Sequence, residues 1–112
     1  NAELNAMIAQ VEAVLNSADR SKRRVAVERA ILALFNLQTQ DEQSAEATSH
    51  LNGKGFSAAD AGRCSFVAKY LREGGHLTDA KVELYARRVL KYRVQLAQLG
   101  LQKKRAQEAA AA

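Results

Sequence analysis

The chain has 112 residues, of which 47% are apolar and 26% charged, a composition ordinary for one soluble globular domain. Its single cysteine excludes an intramolecular disulfide framework, and no apolar run approaches the roughly 20 residues that span a bilayer. The net charge of +5 favours an anionic partner, and we expect a cytoplasmic location. Because alanine is abundant and proline, the strongest helix breaker, is absent, we predict an all-α fold.

The chain does not begin with Met. Asn1 and Ala2 are typical of a tag remnant, so we expect residues 1–2 to be foreign to the natural sequence. Residues 3–112 are then predicted to form a single helical domain, excised from or trimmed relative to a longer protein.

Apolar stripes at helical spacing predict the first two helices. A helix over 3–16 places four apolar residues on one line: Leu4, Ile8, Val11 and Leu15. A second helix, over 20–50, is predicted from another stripe: Val27, Ile31, Leu34 and Phe35. Ser17 or Asp19 is available to cap its start, and its second half is polar but rich in good helix formers.

Asn52 to Phe56 forms the clearest break in the chain. Its Gly-Lys-Gly lacks the spacing and the Ser/Thr of a Walker A loop and follows no strand, so we reject a nucleotide site. We expect Phe56 to turn into the core and Ser57 to cap a third helix over 57–73. That helix is predicted to bury Phe66, Val67, Tyr70 and Leu71, and Gly74-Gly75 to end it.

Thr78 begins the longest amphipathic stretch, predicted as one helix over 78–108. Two adjacent apolar stripes give it a wide buried face, and Arg87, Arg88 and Lys91 are expected to project together from the opposite face. The predicted architecture is a four-helix bundle-like domain with a long basic C-terminal helix, its helices mostly antiparallel.

No catalytic or metal signature is present. Cys64 lies among apolar positions, where we expect a small buried side chain, and it has no base at a matching spacing. His50 and His76 fit no metal-ligand pattern. We therefore predict no enzymatic activity, no cofactor and no metal site. Arg93 falls in the apolar sector of its helix, where its side chain can extend to the surface, pair with an acid such as Asp60 or mark the edge of a groove. Of these we expect a buried ion pair.

Positive charge is concentrated in the second half of the chain. Residues 1–56 carry 6 Lys/Arg and 7 Asp/Glu, a net charge of −1, whereas residues 57–112 carry 11 and 5, a net charge of +6. Such an excess, gathered on one helix, is typical of a nucleic-acid-binding surface. The alternative is a basic face that is simply solvated.

Several short blocks carry a resemblance: Gly53 and Gly55-Phe56, then Asp60, Leu77-Thr78, Leu90 to Tyr92, and Gln95-Leu96. In this order they resemble a small helical domain of phage- and plasmid-type proteins that stands beside helicase or other DNA-processing modules. The resemblance covers roughly residues 36–97 and implies an accessory, DNA-linked role without a catalytic residue. Asp79 stands where that family keeps a glutamine.

These observations predict a nucleic-acid-binding accessory domain that contacts phosphates without reading bases, with DNA favoured over RNA and no membrane partner. The expected contacts are seven basic residues: Arg87, Arg88, Lys91, Lys81, Lys103, Lys104 and Arg105. The alternative is a protein-interaction or dimerisation module, a homodimer or a partner of other domains in a longer parent protein, whose extended last helix packs on a second chain.

Overall fold

The computed structural model describes the backbone of residues 1–44 and 55–111 and the side chains of 1–39 and 55–111. The predicted all-α, bundle-like fold is confirmed, and the described residues contain five helices and no strand. The helices are α1 Ala2–Leu15, α2 Arg20–Ser44, α3 Ala58–Arg72, α4 Asp79–Leu90 and α5 Arg93–Ala111. The end of the predicted second helix, His50, and Gly53 of the predicted loop lie outside the described residues.

The central element is α2, since it packs against all four other helices. Its buried side chains form one stripe of the core: Val27, Ala30, Ile31, Leu34 and Phe35. The outer helices pair around it, with α5 against α1 and both α3 and α4 against α2. The core therefore surrounds α2, and the basic C-terminal stretch lies at the periphery.

Side-chain caps set the starts of three helices. The Asn1 side chain accepts from the Leu4 N–H at 3.0 Å, and Asp19 accepts from the Lys22 N–H at 3.1 Å. Thr78 caps α4 by accepting from the Lys81 N–H at 3.3 Å. Each cap satisfies an N–H that has no partner within its own helix.

The predicted helix over 78–108 is in fact two helices, α4 and α5, separated by a turn at Lys91 and Tyr92. The N–H groups of these residues bond three residues back, to Arg88 and Val89, which tightens the last turn of α4. The Leu90 carbonyl accepts from the Arg93 guanidinium at 3.1 Å. No glycine or proline marks this break, and the apolar spacing continues across it because both helices are amphipathic.

The buried line of α3 differs from the predicted one. It consists of Asp60, Cys64, Ala68 and Leu71, which recur every three or four residues. Phe66 and Tyr70, predicted to be buried, are 75% and 49% exposed. Phe66 lies two positions, about 200°, from both Cys64 and Ala68, so burying the small residues turns the large ring outward.

None of the described helices has a stretch that is both long and apolar enough to cross a membrane.

The backbone at Gly55 supplies a test of the fold. Its φ of +77° disfavours any side chain, and an added Cβ would lie 2.7 Å from the Gln38 Cβ and 2.9 Å from the Gln38 backbone nitrogen. Gly55→Ala should therefore lower the free energy of unfolding by about 2 kcal/mol. Urea denaturation followed by circular dichroism measures the change.

Gly62→Ala is the matched control, because the same atom added there meets nothing within 4 Å and the position is helical. That variant should be neutral or more stable by up to about 1 kcal/mol. Equal midpoints for the two variants would contradict the tight approach of Gly55 to α2.

Candidate nucleic-acid interface

A buried carboxylate joins the start of α3 to the turn between α4 and α5. Asp60 is 2% exposed and accepts from the Lys91 ammonium at 2.8 Å and from the Arg88 guanidinium at 3.2 Å. The Tyr92 hydroxyl also donates to it. Burying a carboxylate is costly unless it is paired, and this one has three donors from a single segment of chain.

The same tyrosine holds the residues before α3. Its hydroxyl accepts from the Ser57 N–H at 3.0 Å, and its ring meets Phe56 edge to face at 5.8 Å. Gln95 adds a two-way contact to Gly55, accepting from its N–H at 2.8 Å and donating to its carbonyl at 3.3 Å. Ser57 is at the cap position of α3, as predicted, but its side chain makes no capping hydrogen bond.

Arg93 does not form the predicted ion pair with Asp60. It is exposed and lies 3.8 Å from Glu12 of α1, whereas Lys91 and Arg88 hold the buried carboxylate. The physical reason is the turn at Lys91 and Tyr92, which rotates Arg93 out of the sector that a continuous helix would have given it.

The charges of this cluster shift the pKa values of its members. Burial raises the pKa of Asp60, but hydrogen bonds from Lys91 and Tyr92 and the charges of Lys91 and Arg88 outweigh it, leaving that pKa below the ordinary 3.8. Burial, followed by the bond to Asp60, raises the pKa of Tyr92, so the phenol remains a donor at neutral pH. The carboxylate is thus ionised and fully engaged.

An open cleft of about 640 Å³ lies between α3 and α4, which pack on α2 rather than on each other. Arg63, Phe66 and Tyr70 line its α3 side, and Lys81 and Leu84 line its α4 side. Its floor is formed by Val67, Leu77 and Tyr85. The described lining contains no Asp or Glu, so the cleft combines apolar and aromatic surface with positive charge.

The end of the cleft opposite Asp60 is held by Glu28 of α2. Its carboxylate accepts from the Leu77 N–H at 2.8 Å and lies 3.2 Å from the His76 ring nitrogen. Tyr70 lies against Gly75 so closely that a Cβ there would overlap its ring, and its hydroxyl donates to the His76 carbonyl at 3.5 Å. The aromatic wall at this end is therefore fixed by backbone contacts.

Three of the seven predicted basic residues lie on the cleft side of α4. Lys81, Arg88 and Lys91 follow one helical line with Leu84, at spacings of three and four. The expectation that Arg88 projects freely is not met, since its side chain is only 30% exposed at Asp60. Lys91 remains 56% exposed, and the two cations share one carboxylate, which leaves one positive charge in excess.

The other four predicted residues lie elsewhere. Arg87 is 3.7 Å from Glu83, which also accepts from Arg23 at 2.8 Å, so it points away from the cleft. Lys103, Lys104 and Arg105 are exposed on α5, where Arg105 pairs with Glu3 of α1 at 3.3 Å. The predicted basic face is thus divided among three parts of the surface.

Arg63 is not among the predicted contacts, and Phe66 and Tyr70 were predicted to pack in the core rather than to line a site. The available signal was the line of small residues Cys64 and Ala68, which conflicts with burying Phe66 on the same helix. The prediction placed the larger side chains in the core, whereas the smaller ones are buried and the larger ones line the cleft.

Cys64 is buried, as predicted, and burial followed by the Asp60 charge raises the pKa of its thiol. Among the described residues no three His, Cys, Asp or Glu side chains are grouped so that they could hold a metal ion.

The Asp60 cluster predicts a pH-dependent stability. Folding lowers the pKa of the Asp60 carboxyl, so its ionised form stabilises the folded state. This stabilisation is fully present above the unfolded pKa near 3.8 and is lost as the pH falls through the lower pKa of the folded state. Asp60→Asn should cost about 2 kcal/mol at pH 7, and the deficit should shrink below pH 4. Urea unfolding at a series of pH values measures both effects.

Asp79→Asn is the control for this prediction. Asp79 is 78% exposed, and its partner Arg20, at 3.7 Å, is 89% exposed, so loss of this solvent-exposed ion pair should cost less than about 1 kcal/mol. A deficit for Asp60→Asn that stayed constant from pH 7 to pH 2.5 would contradict an ionised, paired Asp60.

A scan against models of known protein families and searches of curated proteins and of solved structures found no match to this chain. Its function is therefore inferred from its own residues, charges and geometry.

Proposed function

We propose that this domain binds nucleic acid through phosphate contacts made along the α3–α4 cleft. The observation that carries the proposal is the charge of the cleft, whose described lining contains Arg63 and Lys81 and no carboxylate. No ion pair within the described part of the chain neutralises either side chain. Both cations are therefore available to a polyanion.

The line of cations on α4 extends this surface. From Lys81 to Lys91 the chain advances by about 15 Å, which is long enough for its cations to contact successive phosphates of one strand. Arg88 and Lys91 lie at the far end and retain one positive charge beyond that of Asp60. Contacts of this kind position a strand without reading its sequence.

The resemblance to helical domains of phage- and plasmid-type proteins supports the same role. An accessory domain of a DNA-processing protein needs to bind a strand independently of its sequence, and a row of cations that contacts phosphates provides such binding. We therefore propose a DNA-linked accessory function in which the domain contributes binding rather than catalysis.

Charge-matched double variants test this proposal. Arg63→Gln with Lys81→Gln removes two cations at the cleft, and Lys103→Gln with Lys104→Gln removes two on α5, so each pair lowers the net charge from +5 to +3. Counterion release predicts that the cleft pair flattens the slope of log affinity against log salt by about 1.4 on single strands or 1.8 on duplex. Fluorescence anisotropy with labelled oligonucleotides measures the slope.

The α5 pair should change the slope much less. An equal change of slope for the two double variants would mean that binding depends on the overall net charge and not on the cations of the cleft. Absence of binding by the wild-type domain at low salt would contradict the proposal altogether.

A second candidate function, a dimerisation or protein-interaction module, is favoured by the end of α5. Side chains 102–111 are all exposed, and the last buried residue of that helix is Leu101. A helix that extends beyond its own core presents surface that a second chain could cover.

Deletion of residues 103–112 tests the second candidate. If this segment pairs with a second copy, light scattering should report a dimer for the full chain and a monomer for the shortened one, with an unchanged circular dichroism signal per helical residue. A monomer in both cases would contradict a homodimer formed through α5.

A further inference from the structure

We propose that the α3–α4 cleft selects single-stranded nucleic acid, because an unpaired base can stack on Phe66 while Arg63 and Lys81 hold the neighbouring phosphates. This inference rests on the proposed function and adds to it the form of strand that is bound. It follows from the aromatic surface of the cleft, which phosphate contacts alone do not require.

Phe66 does not contribute to the hydrophobic core. Its ring is 75% exposed and lies outside the hydrophobic core, although α3 buries four other residues along its opposite side. A single exposed apolar residue is ordinary, but this one is flanked in the same cleft by exposed Tyr70 and Leu84. A contiguous exposed apolar surface of this kind is typical of a binding site.

The geometry of the aromatic wall suits stacking. Phe66 and Tyr70 are four residues apart on α3, so they lie on neighbouring turns of one helix face. Tyr70 is held by Gly75 and the His76 carbonyl and so needs little reordering on binding. Aromatic side chains beside basic residues are the common elements of sites that bind single strands, where every base offers a ring face.

Duplex nucleic acid does not suit this cleft as well. In a duplex the bases are already stacked on one another, and their faces are not available to a protein ring without unpairing. Only the phosphate contacts would then remain, and the apolar surface of the cleft would stay exposed to water.

The charge of the cleft favours a nucleic acid over a protein helix. An apolar groove that receives a helix needs apolar anchors, and no cations are required along its wall. Here Arg63 and Lys81 lie on opposite sides of the cleft, with Arg63 on the same helix as Phe66 and Tyr70, so an occupant with alternating apolar faces and negative charges satisfies both the cations and the rings. A single strand has this chemistry in every nucleotide.

A tryptophan introduced at the stacking position tests the inference directly. The chain contains no tryptophan, so Phe66→Trp supplies a single reporter, and the exposed position leaves the fold undisturbed. Titration with oligo(dT) or oligo(U) of about 12 nucleotides should quench its emission, and a duplex of equal length should bind at least about tenfold more weakly. Inorganic polyphosphate, which has charge but no bases, should bind without quenching.

Phe66→Leu and Phe66→Tyr form the matched pair for affinity. Leucine keeps apolar bulk without a ring and should weaken oligo(dT) binding about tenfold, whereas tyrosine keeps the ring and should stay within about twofold of wild type. The two variants should have equal denaturation midpoints, because neither touches the core.

The outcomes separate this inference from the proposed function. Duplex bound as tightly as single strands, with a salt slope that still depends on Arg63 and Lys81, would overturn stacking and leave phosphate binding intact. Failure of every nucleic acid to bind would overturn both. Quenching by an acidic amphipathic peptide but not by oligonucleotides, with Phe66→Leu still binding the peptide, would assign the cleft to a protein partner instead.

Discussion

The arrangement of this domain depends on the buried carboxylate of Asp60. A charge that is only 2% exposed must be paired, and its partners Arg88, Lys91 and Tyr92 all come from the end of α4 and the turn that follows. These contacts join the start of α3 to the end of α4, and the Tyr92 hydroxyl also accepts a hydrogen bond from the Ser57 N–H. Two of these partners, Lys91 and Tyr92, form the turn between α4 and α5, where the sequence has no glycine or proline.

A second polar contact completes the frame of the cleft. Glu28 of α2 holds the loop between α3 and α4 through the Leu77 N–H and the His76 ring. The two helices are thus tied at both ends by polar groups while both rest on α2. Between these two sets of contacts α3 and α4 are separated by the cleft, which is lined by the exposed Phe66 on one side and by Lys81 on the other.

The same cluster contains several of the residues on which the predicted resemblance to domains of phage- and plasmid-type proteins rests. Gly55, Phe56 and Asp60 lie in one short stretch of the chain and Tyr92 and Gln95 in another, and the two stretches meet in one network around Tyr92. Their spacing is therefore first a requirement of this fold. Arg88 and Lys91, two of the predicted phosphate contacts, form ion pairs with Asp60 in that network. Arg63, which was not among the predicted contacts, lines the cleft.

Sequence alone established the helical class, the core stripe of the second helix and the burial of Leu15, Phe56 and Cys64, because composition and 3.6-residue periodicity act locally. Of the stripe predicted for the first helix, only Leu15 is fully buried. Sequence alone also located the excess of positive charge. It could not establish the turn at Lys91, the partners of Asp60 or the exposure of Phe66 and Tyr70. Each of these depends on which groups meet across the molecule: a carboxylate takes the donors that packing brings near, and a helix with two apolar sides buries the one that fits its neighbour.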